Sequence, residues 1–148
     1  MIITGAGAGI GRAHAHMYAK LGANVVVNDV NEKDANIVVD EIVKGEYFSV
    51  PYHSDRFFHI TFLAGGKAAA VICTAEDGDK IARVALEKFG AVHVLVANAG
   101  VIRDKSFQAM TEQEWDLVLA VHLRYTLVVF SFSSTFTHYR LKRDIQGK

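Results

Sequence analysis

The run Thr4-Gly5-Ala6-Gly7-Ala8-Gly9-Ile10-Gly11 stands at the front of this chain, after three strand-like residues and ahead of an amphipathic stretch. A loop that brings bare backbone N–H groups against a diphosphate and then turns sharply into a helix needs residues without a Cβ at fixed spacings. Gly5, Gly9 and Gly11 supply them. The helix that follows is expected to turn Ile10, Met17 and Leu21 toward a sheet, with small Ala13 beside them, while its positive end faces the loop. Residues 23–27 then read as a fully buried strand, with Asp29 just past its end, close to where a dinucleotide fold sets an acid for the ribose hydroxyls. A carboxylate there accepts from a free 2′-hydroxyl and repels a 2′-phosphate, so NAD is expected over NADP. Read by itself, Asp29 also fits a solvated turn beside Asn28 and Asn31.

The rest of the chain repeats the theme. Asn31 is placed to cap a helix running to about residue 44, with Asp34 in the reciprocal position and Ile37, Val38 and Ile42 facing inward. Residues 68–73 read as a buried strand, Thr74-Ala75-Glu76-Asp77 as a second capping box, and Ile81, Val84, Ala85 and Phe89 as the apolar face of a helix ended by Gly90. Residues 91–97 form the next strand, and Thr111-Glu112-Gln113-Glu114 opens a helix carrying Trp115, Val118, Leu119 and His122. Continuous apolar strands alternating with amphipathic helices give an α/β fold, a Rossmann-like doubly wound parallel sheet, truncated.

With 148 residues, 51% of them hydrophobic, the chain suffices for one packed domain and is no disordered segment. Sixteen basic and sixteen acidic residues cancel, which removes any global attraction to nucleic acid or an anionic membrane. The longest uncharged run, 125–139, is too short and too rich in Ser and Thr for a membrane span. Cys73 is the only cysteine and is expected to be a small core residue on a strand. His14 and His16, two apart on a helix, point in different directions, which argues against a shared metal and makes them ordinary helix residues. No metal site is expected.

Two stretches break the pattern. Residues 45–64 hold the only proline and four of the nine phenylalanines where a connection of a few residues would suffice, and residues 125–139 abandon helical periodicity for an aromatic, hydroxyl-rich run. Reverse translation admits an intron donor at 44–47 and an acceptor at 63–65; removing 45–64 in this way joins Lys44-Gly to Gly-Lys67. Residues 45–64 are therefore expected to be an insertion with the character of an unspliced intron.

Together the motifs resemble the short-chain dehydrogenase/reductase family. The glycine run looks like its cofactor loop, and Asn98-Ala99-Gly100 after the fourth strand looks like its sheet-stabilising signature beside the adenosine ribose. Within the family, Val26-Val27-Asn28-Asp29, the run 98–107, Glu114-Trp115-Asp116 and Val121-His122-Leu123-Arg124 look most like the (3R)-3-hydroxyacyl-CoA dehydrogenase module of peroxisomal multifunctional β-oxidation enzymes. The resemblance covers 1–44 and 65–124, so residues 1–124 are expected to be the NAD-binding part and 125–148 a tail foreign to the family. It implies that Gly5, Gly9, Ile10 and Gly11 hold the diphosphate, Asp29 the adenosine ribose, and Asn98, Ala99 and Gly100 the nucleoside side. It implies NAD as cofactor, an acyl-CoA-type substrate, a homo-oligomer and a peroxisomal setting, although Gln146-Gly147-Lys148 is no peroxisomal address. His122 stands where most of the family has an Asn supporting a water relay and where this subfamily usually has a His. A capped or half-buried helix histidine is the alternative.

The chain departs from the family in three places. Its first strand is short, Cys73 replaces a common Asp at the adenine, and the catalytic Ser, Tyr and Lys belong beyond Arg124. Ser131, Ser133 and Ser134 stand too close to Tyr139, and Arg143 replaces the Lys four residues after that Tyr, with Lys142 one position short. None of these receives a catalytic role, so the chain by itself is expected to be inactive. A 3-ketoacyl-carrier-protein reductase or hydroxysteroid-type relative, and a non-catalytic nucleotide-binding fragment, stay open as alternatives.

Overall fold

Thr4 and Asn28 lie side by side at the ends of two parallel strands, and the fold is built outward from that pair. The structure, a computed structural model, describes residues 1–46 and 66–124. Strands β1 (Ile2–Thr4), β2 (Val25–Asp29), β3 (Ala68–Ile72) and β4 (Leu95–Val96) form one parallel sheet in the order β3-β2-β1-β4. Helices α1 (Gly9–Lys20), α2 (Glu32–Lys44) and α3 (Gly78–Phe89) connect them. A short 3₁₀ turn, Phe107–Ala109, precedes α4 (Glu112–Leu119), which runs into a π turn at Ala120–Arg124.

Side chains alternate across the strands, so each face has its own core. Ile3, Val25 and Val27 pack with Ala15 and Ala19 of α1 and with Ala35, Val38 and Ile42 of α2. Ile2, Val26 and Val71 pack on the opposite face with Ile81 and Ala85 of α3. The chain winds outward from β1 to β3, then crosses back to place β4 on the other side of β1. That reversal opens a crevice at the C-terminal ends of β1 and β4, the place where doubly wound sheets bind ligands.

Several local expectations change. In α1 the buried residues are Gly11, Ala15, His16 and Ala19, whereas Ile10, Met17 and Leu21 are 70%, 45% and 52% exposed. Gly11 is enclosed against the preceding loop, and the small residues one and two turns later bring the helix close to the sheet. Ile37 likewise faces outward, while Val38 and Ile42 are buried as expected. Strand β2 runs two residues later than its apolar run indicates, because Ala23 N–H closes the turn after α1 on Tyr18 and the pairing with β3 begins at Val25, whose N–H bonds the Lys67 carbonyl. Asp29 is thus the last strand residue rather than the one beyond. Strand β4 spans two residues, since its neighbour β1 offers only three.

The caps divide similarly. Asn31 accepts from Asp34 N–H, and Thr111 with Glu114 forms a reciprocal box. The Thr74–Asp77 box does not form: Asp77 N–H closes a turn on the Thr74 carbonyl, and α3 starts at Gly78. Gly45 and Gly90 end their helices with φ of +76° and +77°. Glu46 N–H bonds Glu41 O and Gly66 N–H bonds Ile42 O, so both described ends of the connection between α2 and β3 meet the same helix terminus. The expected insertion, apart from Gly45 and Glu46, and the expected tail lie outside the described residues, as do Ser131, Ser133, Ser134, Tyr139, Lys142 and Arg143. Among the described residues no helix is long and apolar enough to cross a membrane.

His16 is no ordinary helix residue. Its ring is 2% exposed and its Nε2 lies 2.9 Å from Glu41 Oε2. Burial outweighs the attraction of Glu41 and holds the imidazole below its ordinary 6.5, with Arg12 and Lys20 acting in the same direction as burial. The neutral ring therefore donates Nε2–H to the carboxylate. Because the folded value is the lower one, the unfolded chain takes up the proton first as pH falls. Stability from this group is complete above about pH 6.5 and declines below it. Urea midpoints are expected to fall between pH 7 and pH 5, and His16→Gln should flatten that dependence; an unchanged slope would contradict the assignment.

Candidate nucleotide-binding cleft

The crevice is a cleft of about 430 Å³ whose walls include Gly5, Asp29, Cys73, Asn98 and Gly100. Thr4 holds its floor together. The Thr4 hydroxyl accepts the N–H groups of Asn98 and Ala99, each at 3.1 Å, and Asn98 Nδ2 donates to the carbonyls of Thr4 and Gly5, each at 3.0 Å. The glycine loop is thereby stitched to the segment that follows β4. Their contact is so close that a Cβ on Gly5 would lie 2.9 Å from Ala99 Cα.

The loop continues into α1 without a side-chain cap at Ala8 and without an acid in the first turn. The N–H groups of Gly9, Ile10 and Gly11 cannot find partners inside the helix. Gly9 has φ of +54° and open space where its Cβ would be, whereas Gly11 is enclosed, its missing Cβ lying 2.6 Å from Asn98 Nδ2 and 2.9 Å from Ala6 Cα. One glycine serves backbone conformation, the other close packing. An uncapped helix start beside an open backbone face fits an anion such as a diphosphate.

Asp29 does more than border the cleft. Its Oδ2 accepts Gly7 N–H at 2.8 Å and its Oδ1 accepts Asn31 N–H at 3.0 Å, leaving further lone pairs on both oxygens. Gly7 was not singled out by spacing, yet a Cβ there would lie 2.9 Å from Asp29 Oδ2. The signal in the sequence was the pairing of a third loop glycine with an acid at the end of the next strand. Asn28, 1% exposed, sends Nδ2 to the carbonyls of Val71 at 3.1 Å and Cys73 at 3.0 Å, holding the end of β3 beside Asp29.

Cys73 is not a core strand residue. It lies just beyond β3, half-buried on the cleft wall, because the chain turns there toward α3. Burial pushes its thiol up, so it is a neutral wall group. His122 lies in the π turn, not in a continuous α-helix, and its Nε2 is 3.2 Å from Val101 N and 2.9 Å from Val101 O. Gly100 makes room for it: a Cβ there would lie 2.8 Å from His122 Cε1. Thus Gly5, Asp29, Asn98, Ala99 and Gly100 share the cleft, Gly9, Ile10 and Gly11 form the adjoining helix start, and His122 backs the segment after β4.

A family model described as short chain dehydrogenase matches residues 1–56 and 59–144. The chain belongs to the short-chain dehydrogenase/reductase family. Among curated relatives it is 41% identical to "Peroxisomal multifunctional enzyme A" of Dictyostelium discoideum over 133 residues, 84% of this chain and 26% of that protein. It is also 41% identical to "Peroxisomal hydratase-dehydrogenase-epimerase" of Neurospora crassa over 128 residues, 86% of this chain and 12% of that one. The crystal structure of a metagenomic short-chain oxidoreductase in complex with NADP matches with a TM-score of 0.68 and 31% identity, covering 88% of this chain and 52% of that one. The chain therefore spans about a quarter or less of these curated relatives.

Proposed function

We propose that this chain is the cofactor-binding part of an NAD-dependent dehydrogenase that oxidises a (3R)-3-hydroxyacyl-CoA in peroxisomal fatty-acid β-oxidation. The observation that carries the cofactor is Asp29, a carboxylate on the cleft wall already tied to the loop through Gly7 N–H. It can accept from both hydroxyls of an adenosine ribose, and a 2′-phosphate would meet its charge. The family, and the NADP in the metagenomic oxidoreductase, support a nicotinamide dinucleotide. The names of the peroxisomal relatives support the compartment and a dehydrogenase activity.

In this reading Gly5, Gly9, Ile10 and Gly11 hold the diphosphate, Asp29 the ribose, and Asn98, Ala99 and Gly100 the nucleoside side. A nicotinamide dinucleotide, when bound, supplies the acceptor for the substrate's hydride. This chain's part is to bind and orient that group; His122 steadies the segment after Gly100 from behind. Proton removal from the alcohol falls to the family's Ser, Tyr and Lys, for which the proposal assigns no residue here. Among the alternatives, the NADP-preferring reductases are disfavoured by Asp29.

The chain as it stands is expected to produce no NADH from any 3-hydroxyacyl-CoA. Replacing 125–148 with a relative's segment that carries Ser, Tyr and Lys, and joining residue 44 to 67 through two glycines, should restore a rise in nicotinamide absorbance. General acid–base groups contribute about 10²–10⁴-fold each, so the contrast is large. Turnover by the unaltered chain that disappears in Tyr139→Phe would overturn this assignment.

A further inference from the structure

Glu41 is not a wall residue of the cleft, yet it grips the helix that begins there. Its Oε2 accepts from Arg12 Nε at 3.2 Å and meets His16 Nε2 at 2.9 Å, while its Oε1 accepts from Arg12 Nη2. Arg12 and His16 stand one turn apart on α1, so a single carboxylate of α2 spans a full helical turn. The rest of the buried face of α1 is Gly11, Ala15 and Ala19. Side chains this small form shallow ridges, which let a helix come close to a sheet but resist rotation about its axis poorly. Arg12 directly follows Gly11, and the N–H groups of Gly9, Ile10 and Gly11 run nearly along the helix axis, so the rotation of α1 sets where around that axis they lie.

We propose that Glu41 is a positioning residue for phosphate recognition: by holding Arg12 and His16 together it fixes α1 about its axis and so places its uncapped N–H groups against the diphosphate. The inference rests on the nucleotide reading above. It separates two parts of the ligand. Ribose and base meet Asp29 and the segment after β4, which Glu41 does not touch, whereas the diphosphate meets α1. Loss of Glu41 therefore weakens ligands that carry a diphosphate and spares those that do not.

The test uses the full 148-residue chain with three ligands, NADH, ADP and adenosine, titrated by calorimetry against the unaltered protein, Glu41→Gln and Glu41→Asp. Glu41→Gln keeps the size but removes the negative charge and replaces one acceptor oxygen with a donor, so Kd for NADH and ADP is expected to rise about tenfold while that for adenosine stays within about twofold. Glu41→Asp, which retains the charge on a shorter arm, should fall between and serves as the deciding variant should Glu41→Gln not fold. Equal weakening of all three ligands would reduce Glu41 to a general structural role and overturn the proposal. Tighter ADP binding would overturn it too, because it would mean that Glu41 restrains Arg12 from attracting the diphosphate. If the unaltered chain binds neither NADH nor adenosine, the nucleotide reading falls and the proposal falls with it.

Discussion

Gly11→Ala is expected to eliminate measurable NADH binding and to lower the thermal midpoint by more than about 5 °C. The added methyl would press on the Gly5 carbonyl and lie 2.6 Å from Asn98 Nδ2 and 2.9 Å from Ala6 Cα. Two of those groups are backbone, and the third is the amide that bonds the Thr4 and Gly5 carbonyls. Overpacking of this kind costs about 1–3 kcal/mol, and each displaced hydrogen bond adds about 0.5–1.5 kcal/mol. Helix α1 must then move or turn, and the N–H groups at its start go with it. Gly9→Ala makes the instructive comparison. There is open space at Gly9, so its cost is the positive φ alone, and it should weaken NADH while leaving the midpoint less affected. Fluorescence titration and thermal unfolding of both variants check this; a Gly11→Ala protein that binds NADH normally would remove the close-packed loop from the account.

Asp29→Ala is the second large effect, and it acts in two places. The variant loses the acceptor proposed for the ribose hydroxyls, and it also releases Gly7 N–H and Asn31 N–H, which the carboxylate holds at 2.8 and 3.0 Å. Charge-assisted hydrogen bonds are worth about 1.5–3 kcal/mol, so NADH affinity should fall about ten- to hundredfold. NADPH gains from removal of the opposing charge and loses from the slackened loop, so the gap between the two cofactors narrows without reversing cleanly. Asp29→Asn isolates the charge, since one amide oxygen can still accept from Gly7. Titrating both variants with both cofactors separates loop support from ribose recognition; unchanged NADH affinity in Asp29→Ala would exclude Asp29 from both.

What could be read from the sequence was local or carried by a fixed motif. Asn31 and Thr111 cap their helices because their acceptors and donors lie three residues apart on the same chain. Gly5, Gly11 and Asn98 meet because the loop and the segment after β4 end neighbouring parallel strands. Elsewhere distant contacts decide. Ile10, Met17 and Leu21 make a plausible apolar stripe, but α1 packs with Gly11 against the loop and with Ala15, His16 and Ala19 buried instead. His16 looked unremarkable because its partner, Glu41, is twenty-five residues away. Gly7 carries no local signal because its role depends on Asp29 reaching back across the sheet end. Thr74 had the right neighbours for a cap, yet the chain needs that residue for the turn out of β3. The π turn at Ala120–Arg124 leaves no periodic signature, and it sets His122 against Val101.

The most direct measurement of the central claim is a pair of fluorescence titrations of the 148-residue chain, one with NADH and one with NADPH, at constant ionic strength. The account predicts saturable binding of one equivalent of NADH, competed by ADP, with NADPH weaker by about tenfold or more through its charge against Asp29. Equal affinities, or no saturable binding of either cofactor by a chain that unfolds cooperatively, would contradict it.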